Sequence, residues 1–482
     1  MKVLLFNLLF SFGIMAQAPF SVELPTVQGD ILHFEVMYLE DDSLQINDSL
    51  AFALDIEHTP EGETLELPAG YSHFPEGSYF IIDKEIEIEG QGYTTHFDID
   101  GSDYVKKFLD LRNDRIKIRG IRFTSDEKYP HLQDPNVMTG NIQCIQAQDV
   151  PVSGIEVENC YFENMSTAIK IKHSRDLEIS NNHFLQNAMG MQLTEDTLVN
   201  IHDNVCNTDS IYPGAQKIHY IYVNSGQDLT IDGEHITGRG GRAINIKTNG
   251  LPDYPKNIII NNVTLTRTNG IFLQYADNVQ IQGLRLINSV GIQGSSAGNV
   301  SLTGFVYENT GPSYKYLYIN DNFPGAGLDT ATVRISGGIL SGPVSIASNY
   351  TKRITVRDCD FTNPIDTSQQ KPVFWGSANE TRSFFDVADC TYTFTHGLGS
   401  GKPFLFRTQG TPTRVVNCHI DNSSGENFPY ISLSSKVNQE RDYFEGCTVR
   451  GPVSNLIWSS SAPNSYRIDN CTRIETGAPI YN

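Results

Sequence analysis

The chain has 482 residues, 39% hydrophobic and 19% charged, with 40 glycines and a formal net charge of −21. That acidity argues against nucleic acid as a partner, because binding phosphates needs a basic footprint. Length alone would suggest about three domains, but a repeat running along the chain gives most of it to one solenoid.

Residues 1–18 read as an export leader. Lys2 supplies the positive end, and Leu4 to Met15 is an apolar run too short to span a bilayer. Ala16 is the expected cut site, since Pro19 would hinder a cut after Ala18. No later stretch is apolar enough for a membrane helix, so the mature protein is expected to be secreted or periplasmic without membrane insertion. Oligomeric state is not readable. Residues 19–62 hold extended segments and then a short helix opening at Asp48, expected to act as its cap. A helix at this point would cover the open end of a stack of coils.

From residue 63 to 482 the chain reads as roughly sixteen coils, all β. One phrase recurs: a small or aromatic residue, then alternating apolar and polar residues, then a polar turn. The copies are Ala168 to His173, Gly190 to Glu195, Tyr220 to Ser225, Ala243 to Thr248, Gly270 to Tyr275 and, more loosely, Gly291 to Ser296. They lie roughly 21 to 30 residues apart. A period of that size marks a solenoid whose units bury their apolar residues only by stacking. Alternation of period two makes the unit a strand. Residues one coil apart should then be neighbours at about 4.8 Å.

Between these strands lie further apolar runs such as Leu177 to Ile179 and Leu229 to Ile231. Asparagines precede the next run, at Asn181, Asn182, Asn204, Asn261 and Asn262. Three short strands per coil with asparagine at one corner describe a parallel β-helix. Asparagine tolerates left-handed backbone angles and can hydrogen-bond along such a corner. Cys160, Cys359, Cys390, Cys418, Cys447 and Cys471 share one phase. They are expected to stack as small buried side chains, although neighbouring coils are close enough to crosslink.

The Asp-rich start before a helix, the turn Leu67-Pro-Ala-Gly-Tyr71 and the strand pattern resemble the right-handed parallel β-helix proteins of the pectin-lyase-like superfamily. The resemblance covers nearly all of the mature chain. It implies an all-β, single-stranded parallel β-helix with an N-terminal helical cap. Polysaccharide lyases, glycoside hydrolases, epimerases, tailspikes and non-catalytic surface proteins share this fold, so the chemistry must come from the residues.

Outward positions on the repeated strand form two columns. The first holds Lys170, Gln192, Tyr222, Asn245, Phe272 and Gln293. The second holds Lys172, Thr194, Asn224, Lys247, Gln274 and Ser295. His219 and Arg242 start their strands, and His173, Glu195, Ser225, Thr248 and Tyr275 end theirs. A chain with 56 acids and 35 bases thus gathers cations on one face. The expected partner is an anionic polysaccharide, with carboxylate or sulfate groups against Lys170, Lys172, Arg242 and Lys247. Gln192, Asn224, Asn245, Gln274, His173 and Tyr275 would supply further contacts.

β-Elimination from a uronic acid chain needs a base for the C5 proton and a cation at the carboxylate. Lys247 is the first choice for base, His219 and Tyr222 are its competitors, and Arg242 joins the catalytic set. Glu195 would orient a lysine or act as a hydrolytic acid. Hydrolysis needs two carboxyls about 5 to 9.5 Å apart, and the face shows only Glu195 with Asp196 beside it.

His219 and Lys247 resemble in spacing the histidine and lysine of polygalacturonase-type hydrolases. Asn245 stands where those have arginine, and their upstream aspartate pair is missing. Lys247-Thr-Asn also resembles the Lys-Ser element of the alginate lyase and chondroitinase B family, whose lysine is the base. The Arg-His-Gly of that family is replaced by Gln274-Tyr275-Ala276. Lyases of this fold often use calcium as the carboxylate neutraliser, so calcium is a possible cofactor. No acidic triplet on the face is suited to hold it, and no other cofactor is implied.

Overall fold

The computed structural model describes residues 20–25, 31–38, 44–45, 48–101, 106–125, 142–208, 219–238, 241–248, 254–295, 297–310, 315–320, 332–348, 353–365, 373–376, 384–395, 405–409, 413–423, 431–434, 442–451, 457–459 and 466–480. The expected export leader, with its expected cut site, lies outside the described residues.

Each coil contributes one strand to each of three parallel walls. In one coil these strands are Thr167–Lys172, Arg175–Ser180 and His183–Leu185. The first wall has 15 strands, the second and third 16 each, every strand paired with its counterpart one coil before and after. This is the expected parallel β-helix. Alternation drives it. Ile169 and Ile171, Leu177 and Ile179, and Phe184 all point into the shaft and are buried, while the residues between them face out. Inward phenylalanines stack coil on coil: Phe123 on Phe162 at 5.3 Å and Phe162 on Phe184 at 5.2 Å.

One corner runs through the described coils. Backbone bonds between second and third walls tie together Cys160, Asn182, Asn204, Glu234, Val263, Leu284, Phe305, Gly338, Cys359, Cys390, Cys418 and Cys447, one per coil. The amide oxygen of Asn182 accepts from the Cys160 N–H at 2.9 Å, and that of Asn204 from the Asn182 N–H at 2.9 Å. The asparagine ladder and the cysteine column, read separately in the sequence, are therefore two stretches of one column. Phe305 fills the space where Gly338 would carry a side chain: a Cβ there would lie 2.2 Å from the Phe305 ring. All eight cysteines are free and buried.

Residues Phe20–Pro25, Ile31–Tyr38 and Leu44–Gln45 make a small antiparallel sheet. The helix Asp48–His58 follows. Its Phe52 packs edge-on against Phe80 at 4.9 Å and Phe97 at 5.1 Å, covering the first coils as expected of a cap. Asp48 was expected to cap the helix. It lies in the first turn and instead accepts a bond from the His73 backbone at 2.6 Å, tying helix to third wall. Among the described residues no helix is long and apolar enough to cross a membrane.

Candidate functional site

The outward columns of the first wall fall into the expected register. Lys170 pairs with Gln192, Gln192 with Tyr222, Tyr222 with Asn245, Asn245 with Phe272, and Phe272 with Gln293. Beside them Lys172, Thr194, Asn224 and Lys247 align, as do Gln274 and Ser295. Strand pairing at one coil spacing converts residues distant in sequence into side-by-side neighbours.

Four of these residues form a connected group. His219 stacks on Tyr222 with ring centres 5.7 Å apart and planes at 17°. The Lys247 ammonium lies 5.2 Å from the centre of the Tyr222 ring. Asn245 Nδ2 is 3.0 Å from His219 Nε2. With the amide donating, His219 accepts at Nε2 and its proton sits on Nδ1. Asn245 is only 2% exposed although it faces outward. Its Oδ1, and the Oδ1 of Asn224, are buried atoms with no hydrogen-bond partner among the described residues.

Arg242 closes one side, its guanidinium carbon 3.4 Å from the centre of the Phe272 ring. Burial holds its pKa below the ordinary arginine value. The strand after it depends on a glycine. Gly270 has φ +72, and its carbonyl accepts from the N–H groups of Ala243 and Ile244. A Cβ at Gly270 would lie 1.8 Å from the Gly291 carbonyl oxygen, so no side chain fits where the site strand begins.

The residues expected at strand ends turn away from the flat of the wall. His173, Glu195, Ser225 and Tyr275 have φ between 58 and 63, the left-handed corner that ends each strand. His173 Nδ1 meets Glu195 Oε2 at 2.8 Å, both near half exposed. Glu195 is thus paired at the rim rather than aimed at Tyr222. Asp196, read as lying on the face, is instead a buried corner residue. It accepts the N–H groups of Ser174 and Thr194, each at 2.7 Å. Burial raises its pKa to about 7.

The column also extends further than the sequence reading took it. Gln146 lies beside Lys170 and Asp110 beside Gln146. Asp110 is fully buried on this outward face. It accepts from Tyr79 Oη at 2.5 Å, Arg112 Nε at 2.9 Å and Gln146 Nε2 at 3.0 Å, with Lys107 Nζ at 3.6 Å. Burial, and then the Asp110 bond, raise the Tyr79 pKa to about 12. Burial and then the Lys107 charge lower that of Lys170. Asp110 was missed because no repeat phrase surrounds it; the alternation Phe108-Leu-Asp-Leu111 was its only signal.

Among the described residues no group of three or more His, Cys, Asp or Glu side chains is placed to hold a metal ion. Among the described residues Asp110 is engaged by Arg112, Glu195 by His173 and Asp149 by Lys107. Among the described residues the side chains of this face do not fit a calcium site.

The family described as "Right handed beta helix region" matches residues 120–220, which agrees with the walls and gives their hand. No curated protein matches the sequence. Solved structures similar to this chain include tailspike protein 3 of bacteriophage CBA120, at 12% identity and TM-score 0.44, covering 100% of this chain and 69% of that one. The mannuronan C-5 epimerase AlgE6 A-module of Azotobacter vinelandii has 11% identity and TM-score 0.33, covering 90% and 96%. The catalytic domain of a GH87 alpha-1,3-glucanase in complex with nigerose has 12% identity and TM-score 0.36, covering 92% and 72%. At these scores none of the three carries an activity or a substrate over to this chain.

Proposed function

We propose that this chain is an exported polysaccharide-active enzyme that binds an acidic polysaccharide along the first wall and cleaves it by β-elimination. The observation that carries the reading is the contact group of His219, Tyr222 and Lys247, flanked by Arg242, on a face that also holds Lys170 and Lys172 in a chain of net charge −21.

Elimination at a uronate moves a proton from C5 to a base while charge builds on the carboxylate, and the O4 leaving group takes up a proton. Lys247 was the first choice for base from sequence. Its ammonium facing an aromatic ring is the contact of a cation, which suits it, with Arg242, to the developing carboxylate charge. His219 and Tyr222, side by side, then carry the proton transfers. Lys170, Lys172, Gln192 and Asn224 would hold neighbouring sugars.

Hydrolysis is less well served. Asp110 stands four coils from Tyr222 and three from the Glu195 coil by register, roughly 19 Å and 14 Å of backbone at the coil spacing. A hydrolytic pair needs at most about 9.5 Å.

The test is incubation of the purified mature protein with polyuronates, glycosaminoglycans and neutral glucans. Appearance of the ultraviolet band of an unsaturated uronate is the expected result. New reducing ends without that band would replace elimination with hydrolysis. Binding without either product would leave a carbohydrate-binding protein and remove the catalytic reading.

A further inference from the structure

The second wall carries a separate cationic stripe. Its strands Thr332–Ser336, Arg353–Arg357, Phe385–Ala388 and Thr413–Val416 pair in that order. In register, the outward column reads Arg334, Thr355, Asp386, Arg414. Arg353 and Arg357 flank Thr355 on the same face of its strand.

Asp386 is fully buried, and three guanidiniums converge on it. Its Oδ2 takes Arg353 at 2.7 Å and Arg357 at 3.2 Å, and its Oδ1 lies 3.8 Å from Arg414. Those arginine side chains are 54%, 40% and 45% exposed. A buried carboxylate requires a cation, but one would suffice. Asp389 at the corner lies 3.9 Å from Arg357 and accepts from the Asn417 amide at 3.3 Å. Each guanidinium carries five N–H donors in a plane, and a single nitrogen of each faces Asp386. Arg357 turns a second nitrogen towards Asp389 and the Arg353 guanidinium lies 5.6 Å from the centre of the Phe384 ring, yet all three side chains keep 40% to 54% of their surface open to solvent. Asp386 therefore works as a peg that spreads three guanidiniums outward, with Arg334 extending the row.

Planar guanidinium forks match carboxylate and sulfate oxygens in pairs. The column spans three coil steps from Arg334 to Arg414, roughly 14 Å, which suits groups repeated along a polymer. We propose that this stripe binds the carboxylate or sulfate substituents of an anionic polysaccharide, at a site on a different wall from the His219 group. It needs no chemistry at the first wall and stands whether or not that wall cleaves.

The test uses the full mature chain and two labelled probes, polygalacturonate and dextran sulfate, with binding measured at low and moderate salt. The variants are Arg353→Gln combined with Arg414→Gln, and separately Lys247→Ala with Arg242→Ala to disable the first wall. The arginine pair should weaken binding of at least one probe about tenfold, and the weakening should persist in the first-wall background. Loss with polygalacturonate alone assigns carboxylate, and loss with dextran sulfate alone assigns sulfate. Unfolding temperature is followed in parallel. If the double variant melts early, Arg334→Gln, whose residue makes no contact with Asp386, replaces it and should still weaken binding several-fold. Wild-type binding of both probes by the folded variants would overturn the proposal. So would double-stranded DNA binding as tightly as either polysaccharide and depending on the same arginines.

Discussion

The Lys247 ammonium lies 5.2 Å from the centre of the Tyr222 ring, one coil away and two positions along the strand. Only strand pairing brings them together, and the same pairing brings His219 and Asn245 to Tyr222. The two rings and the cation form one connected group on a wall that also carries Lys170, Lys172 and Asp110.

If His219 and Tyr222 move the protons, Tyr222→Phe should cut kcat by roughly 10²-fold or more while polymer binding changes little, because the ring and its stacking remain. Lys247→Ala should lower kcat and kcat/KM together, because the charge it meets develops in the transition state. The readout is steady-state formation of the unsaturated uronate. Equal kinetics for wild type and Tyr222→Phe would remove the phenol from the chemistry.

Glu234 ends the asparagine ladder. Its Oε1 accepts from the Asn204 backbone at 3.1 Å and the Asn204 amide at 2.8 Å, while Oε2 is buried with no partner among the described residues. Burial raises its pKa to about 8, against about 4.3 for an exposed glutamate. Between these values the folded chain keeps a proton that the unfolded chain has released, so stability falls as pH rises through that window. Asp196, raised to about 7, adds a fall of the same sign. Glu234→Gln should match wild type near the acidic end of the window. At its alkaline end the variant should be more stable by on the order of a few kcal/mol, as read from melting temperatures across the range. A constant difference at all pH values would contradict the assignment.

Asp110 is a buried carboxylate held by Tyr79, Arg112, Gln146 and Lys107. Asp110→Asn removes that buried acceptor while Asp149 still faces Lys107 at 2.7 Å and Arg112 at 3.6 Å, so the cost is that of the disrupted buried hydrogen bonds, about 1–3 kcal/mol. The variant should melt markedly lower than wild type. An unchanged melting temperature would show that the first-wall pairs are solvent-screened.

The thiols should be silent in the native state. All eight are free and buried; burial raises Cys144 and Cys206 well above the ordinary range and Cys160 to about 12, while hydrogen bonds from neighbouring thiols lower Cys390 and Cys447, so lack of access rather than protonation keeps the column silent. A thiol reagent should label none of them rapidly in the folded protein and eight after unfolding in denaturant. Fewer than eight after unfolding would mean that some had been oxidised.

The fold was legible because its signal is redundant. Every coil repeats the alternation, so one blurred copy, such as Gly291 to Ser296, costs little. The register of Lys170 with Tyr222 and Lys247 with Asn224 followed from the same repetition. Chemistry is not redundant. Asp110 sits in a coil without the repeat phrase, and nothing in its neighbours announced that Tyr79 and Arg112 would close over it. Asp196 and Glu195 are adjacent in sequence, yet one turns into the corner and the other to the rim. That choice is made by a single left-handed residue, Glu195 at φ 60, which alternation alone does not mark.

Asn182 and Asn204 are separated by 22 residues, as are Cys160 and Asn182. Those coils are interchangeable lengths of thread. Excising residues 182–203 would splice Asn204 into the place of Asn182 and seat Tyr222 directly on Lys170, because the strand that now lies between them would be gone. The molecule can thus be shortened like a zip, one tooth at a time, and each cut redraws which side chains share the groove.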